Sequence, residues 1–126
     1  MSTKEVINKY YDYVNEGDWN NWLTLFDDNI IMDEQLAGHL EGIKTLSGAV
    51  GGLEKGYSKF LMHPQETLIE DNQAFVIWNF EGANADGIPI EAKGVNFFRI
   101  EDDKITYMSN FHDTRPFDPF MNQNLD

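Results

Sequence analysis

Three polar side chains stand out by type and spacing: Tyr10, Glu34 and Asn96. Tyr10 opens the run YYDYVNEGDWNNWLTLFDDNIIMDE, which reads as helix, one-glycine break, helix, then a strand ending on Glu34. Asn96 lies in GVNFFRI, a strand-like run with apolar neighbours. A phenol, a carboxylate and an amide around an apolar hollow suggest chemistry on a small, largely apolar molecule. Removing a proton beside a carbonyl creates an enolate. A base must reach the C–H, and donors must face the oxygen where charge develops. A carboxyl walled by aromatic rings has its charged form disfavoured, so the Glu34 pKa is expected to rise toward working pH.

The elements that must position these groups follow from periodicity. Ser2 and Glu5 have the spacing of a capping box. Val6, Tyr10 and Val14 then recur at helical spacing, and Gly17 suits a left-handed stop. Asp18 is placed to cap a second helix with Trp19, Trp22, Leu23 and Phe26 on one face. Residues 29–34 read as a short strand. A third helix follows Gly42, with Ile43, Leu46, Val50 and Leu53 on one side, and Gly51 and Gly52 weakening its end. From about Lys59 the period becomes two. Runs 59–70, 73–82, 88–100 and 104–113 are broken by EDNQ, NADG and EDD, which are turn sequences. The expectation is an α+β domain over 1–126, with three amphipathic helices packed on a curved, mainly antiparallel sheet. The tail, 113–126, is expected to be irregular. Its Phe117 and Phe120 are expected over a pocket mouth or against a neighbouring subunit.

Alternation sets the pocket lining. Met108, Asn110 and His112 share one side of the last strand, expected to face inward. Val76, Trp78 and Phe80 share a face, as do Asn96 and Phe98. The expected wall is mostly aromatic and holds five polar groups: Tyr10, Glu34, Asn96, Asn110 and His112. That is the profile of a small-molecule site.

Composition narrows the partners. The chain has 126 residues, 41% hydrophobic and 13% aromatic, enough for a real core. Its formal net charge of −13 opposes nucleic acid and anionic membrane surfaces. No apolar run approaches the ~18 residues of a membrane span, and the polar start MSTKEVINKY lacks a signal-peptide core. A cytoplasmic location is the default expectation. There is no cysteine, so disulfide and thiolate chemistry are excluded. His39, His63 and His112 lack ligand spacing, so no metal is expected. No Gly-rich phosphate motif and no G-x-S-x-G occur, and no cofactor is expected.

The order of YYDYVNEGDWNNWLTLFDDNI, HLEGIKTL and GVNFFRIEDDKITYMSNFHD resembles the nuclear transport factor 2-like superfamily, with its SnoaL-like polyketide cyclases and ketosteroid isomerases. The resemblance spans roughly residues 4–113. It implies a cone-shaped fold around an apolar pocket, often a homodimer through the sheet. Ketosteroid isomerases carry a tyrosine eight residues before the Asp of the Gly-Asp break, here Tyr10 before Asp18. Their base lies sixteen residues after that Asp, here Glu34 in place of Asp. Their protonated Asp donor corresponds to Asn96 in Asn96-Phe97-Phe98-Arg99, a neutral and weaker donor. Limonene epoxide hydrolases of the superfamily place acids where Asn96 and Asn110 stand here, which opposes epoxide hydrolysis. Dehydratases similar to scytalone dehydratase use His and Asp pairs, which His112 and Glu34 imitate only if they approach.

Plainer roles stand beside each residue. Tyr10 also suits a packed helix face, Glu34 a solvated strand end, and Asn96 a tie between strand and helix. Trp78 and Phe80 are core first and wall second, and His112 suits a core or rim position. The functions left open are an isomerase- or cyclase-type enzyme acting on an apolar cyclic substrate, a binding protein with the same pocket, and an assembly role for a homodimer.

Overall fold

Ser2 Oγ accepts from Glu5 N–H at 3.1 Å while Glu5 Oε1 accepts from Ser2 N–H at 3.3 Å, so the capping box opens helix α1 (Thr3–Glu16). Gly17 stops it at φ 69°, a left-handed conformation that costs a residue with a Cβ. Asp18 then caps the short α2 (Trp19–Leu23) by accepting from Asn21 N–H. The computed structural model describes residues 1–125.

The chain continues through β1 (Phe26–Glu34), β2 (Gly38–Glu41), α3 (Ile43–Gly56), β3 (Tyr57–Glu70), β4 (Gln73–Asn84), β5 (Pro89–Glu101) and β6 (Lys104–His112). The strands form one six-stranded sheet in the order β2-β1-β6-β5-β4-β3. All pairings are antiparallel except β1 with β6, which run parallel. The fold is therefore α+β with a mixed sheet. The helices do not all precede the sheet, because β1 and β2 come before α3. Helix α3 also runs through Gly51 and Gly52 to Gly56. Leu46 and Val50 are buried on its inner side, and that burial outweighs the helix cost of the two glycines.

Asp71, Asp102, Asp103 and Gly87 adopt positive φ in the tight turns, as the turn sequences require. Strand β4 buries Ala74, Val76, Trp78 and Phe80 on one face and exposes Phe75 and Ile77 on the other. Helix α1 lies against that inner face through Val6, Ile7, Tyr10, Tyr11 and Val14, all buried. Full burial of such side chains contributes about 1.5–3 kcal/mol each.

The tail is not irregular throughout. A 3-10 turn (Arg115–Phe117) leads into one helical turn, α4 (Asp118–Met121). Asn84 Nδ2 donates to the Pro119 carbonyl at 2.9 Å, and Gln123 Nε2 donates to the Gly56 carbonyl at 2.8 Å. These bonds and the buried Phe117 give the tail a fixed path that local sequence does not encode.

Candidate functional site

Two cross-strand rows build the floor of a cavity. Trp78, Gly94 and His112 are aligned on β4, β5 and β6, and Val76, Asn96 and Asn110 form the next row. Helix α1, α3 and the tail close the space over them. The result is a cavity of about 340 Å³. Tyr10, Glu34, Asn96, Asn110 and His112 all line it, together with Trp78, Phe80 and Met108. Val76 and Phe98 do not. Both are fully buried, and Phe98 is covered by the rings of Tyr10 and Tyr11, with centroids 5.0 and 6.5 Å away. Alternation gave their face but not their depth beneath α1.

Glu34 is the most densely bonded group in the wall. Its Oε1 accepts from Asn110 Nδ2 at 3.0 Å. Its Oε2 accepts from the backbone N–H groups of Leu36, at 2.7 Å, and Ala37. Those amides belong to the turn between β1 and β2, which folds back over the carboxylate. His112 Nε2 stands 4.0 Å from Oε1, beyond hydrogen-bond length, and the side chains of His112 and Glu34 are only 2% and 22% exposed. Burial pushes the Glu34 pKa up, but His112, Asn110 and the two amides together hold it below the ordinary carboxylate value. The expected rise toward working pH is thus reversed, because donors from the β1–β2 turn and from β6 converge on the group.

His112 shows the complementary balance. Burial lowers its pKa, yet the Glu34 carboxylate and the Asp113 carbonyl raise it above the ordinary histidine value. Nδ1–H donates to that carbonyl at 2.7 Å, which leaves Nε2 facing Glu34. The two groups therefore favour the imidazolium–carboxylate form.

The other polar groups are neutral. Burial pushes the Tyr10 phenol up, beside the Trp22 indole and in the field of Glu34, so it stays protonated. Tyr57 is pushed up the same way, by burial and then by Glu34. Asn96 is 1% exposed and donates one amide hydrogen to Tyr11 Oη at 2.9 Å. That bond ties strand to helix and uses half of the donor capacity read from its spacing.

Sequence reasoning missed several wall residues. Tyr57, Phe60, Met32 and Leu36 line the cavity, as do Trp19 and Trp22, read only as part of one face of the second helix. The tail supplies Phe117 and Phe120, and Phe120 stacks on Tyr57 with centroids 4.3 Å apart and planes at 8°. The aromatic pairs FxxF in the tail and YxxF at 57–60 were the available signal. Among the described residues, no group of three His, Asp or Glu side chains is arranged to hold a metal ion, and no helix is long and apolar enough to cross a membrane.

A mixed six-stranded sheet, a helix laid across its inner face and a lined cavity between them define the nuclear transport factor 2-like class. Residues 7–108 match the model of the SnoaL-like domain, and the chain belongs to that family. Solved structures agree on the fold. An NTF2-like protein of unknown function from Burkholderia pseudomallei superposes with a TM-score of 0.88 at 14% identity, covering 98% of this chain and 100% of that one. A putative polyketide cyclase from Pseudomonas putida gives 0.86 at 19% identity, covering 93% and 96%. TerC, co-crystallised with polyporic acid, gives 0.84 at 16% identity, covering 96% and 98%. No functionally curated protein matches the chain in sequence.

Proposed function

We propose that this protein binds an apolar cyclic molecule bearing a carbonyl and moves a proton next to that carbonyl, in an isomerase- or cyclase-type reaction. The observation that carries this reading is the pair Glu34 and His112, 4.0 Å apart on one cavity wall. A carbonyl oxygen and its α-carbon are separated by roughly 2.4 Å, set by ordinary bond lengths and angles. A carboxylate and an imidazolium at this spacing can therefore address both atoms. Glu34 takes the α-proton, His112 Nε2–H gives its proton to the oxygen, and the enol forms without a net change of charge. Return of a proton to a different carbon, or attack of the enol carbon on a second carbonyl, completes isomerisation or ring closure. Tyr10 and Asn96 act as neutral donors toward the same oxygen. The aromatic wall excludes water and holds the ring system, and the co-crystal of TerC with polyporic acid supports an organic occupant for this fold.

A second reading rests on the saturation of Glu34. A carboxylate that accepts three hydrogen bonds is a weak base, which favours a binding protein with no turnover.

Incubation with a panel of apolar cyclic ketones in deuterated water separates the two. The enzyme washes out α-protons, read by NMR, and Glu34→Gln abolishes the exchange while ligand affinity stays near wild type. Tight binding with no exchange above background establishes the binder instead.

A further inference from the structure

Two aromatic rings contact His112. Trp78 lies at a centroid distance of 5.7 Å and 61°, and Phe117 at 4.9 Å and 51°. The Trp78 contact depends on the residue between them. Trp78, Gly94 and His112 form one row across β4, β5 and β6, and the indole crosses the row to reach the imidazole. A Cβ on residue 94 would lie 2.5 Å from Trp78 Cζ2, 2.7 Å from Cη2 and 2.8 Å from the Phe111 carbonyl oxygen. Only glycine admits the ring there. Trp78 Nε1 is buried without a hydrogen-bond partner, an expense that packing alone would avoid with phenylalanine.

We propose that Trp78 is a positioning residue for His112: seated on Gly94, it holds the imidazole so that Nε2 faces Glu34. The indole sets the plane of the ring, Phe117 packs against it as well, and the Asp113 carbonyl fixes Nδ1. The catalytic meaning of this clamp rests on the reaction proposed above, whereas the clamp itself does not.

The charged groups that face His112 are few. Glu34 faces it from β1 and Asp113 adjoins it in sequence, with Asp113 itself paired to Arg115 at 2.7 Å. Trp78 and Phe117 bring no charge, so the tautomer that His112 adopts after a change at residue 78 reports on how the ring is held.

Long-range nitrogen–proton NMR of the full chain tests the clamp, with His39 and His63 as references. In wild type, neutral His112 carries its proton on Nδ1 as a single tautomer. In Trp78→Phe the shorter ring no longer crosses Gly94. The His112 ring then loses its fixed orientation, and both neutral tautomers appear. Gly94→Ala, which displaces the indole, produces the same change. A single Nδ1–H tautomer in folded Trp78→Phe overturns the proposal. Should both tautomers appear in the variants while wild type exchanges no α-protons, the clamp stands and the proposed reaction falls.

Discussion

Asn110 and Glu34 meet in one orientation only. The Gln35 N–H donates to Asn110 Oδ1 at 2.9 Å, so Nδ2 must turn toward Glu34 Oε1, 3.0 Å away. The backbone of the turn after β1 thereby fixes an amide on β6, and that amide stabilises the charged form of the carboxylate. Asn110 lines the cavity and spends one amide hydrogen on Glu34.

Replacing that amide by an acid reverses its effect. Asn110→Asp sets a second carboxylate against Glu34 and removes a donor. The variant is expected to lose on the order of 2 kcal/mol of stability near neutral pH. One of the two acids protonates on acidification, so the deficit narrows as pH falls. Urea denaturation at about pH 7 and about pH 5 checks this, and a deficit that does not depend on pH contradicts it.

The Glu34–His112 pair has its own pH window. The folded pKa of His112 lies above its ordinary 6.5, so its contribution is complete below that value and is lost as pH rises through the folded pKa. The folded pKa of Glu34 lies below its ordinary 4.5, so its contribution is complete above that value and is lost as pH falls through the folded pKa. The stability difference between wild type and His112→Gln should peak between these two ordinary values and shrink on the alkaline side. Denaturant midpoints measured across the range report it.

Gly56 marks the contact between α3 and the tail. A Cβ there would lie 2.2 Å from Phe120 Cε2 and 2.8 Å from Cδ2. Gly56→Ala is expected to lift Phe120 off Tyr57, to cost roughly 1–3 kcal/mol, and to raise the fluorescence of a dye that seeks apolar surface. Thermal unfolding and dye titration measure both effects. Unchanged dye binding shows that Phe120 does not cover the cavity.

The outer face of the sheet is apolar. Phe75, Ile77 and Phe111 are 47%, 42% and 57% exposed, and Leu68 is 67% exposed. The tail aromatics are turned inward and cannot join them in an interface. A homodimer through the sheet face is the expected state, and sedimentation at micromolar concentration tests it. Phe75→Lys combined with Phe111→Lys should give a monomer with its cavity intact.

The sequence was legible where local rules govern. Ser2, Glu5, Gly17 and Asp18 act as their types dictate, and the turn residues separate β3 to β6 within a few positions. Strand β2 escaped notice because its four residues are exposed or half-buried and show no alternation. The parallel β1–β6 pairing has no local signature at all. In the site, alternation placed Asn110 and His112 on the inner face, but the Glu34 pKa depends on amides of the following turn and on side chains from the last strand. Phe117 and Phe120 were expected over a pocket mouth or against a neighbouring subunit, and the tail's path, fixed by Asn84 and Gln123, sets them in the wall; Tyr57 became visible as a wall residue only through its stacking on Phe120.

Pairing the first strand with the last also governs when this site comes into being. Glu34 and Asn110 are 76 positions apart, and His112 is more distant still. A growing chain must therefore be synthesised past His112 before the carboxylate finds its partners. Such late closure raises contact order and slows folding. Until then, Glu34 lacks the Asn110 donor that helps to hold its charge.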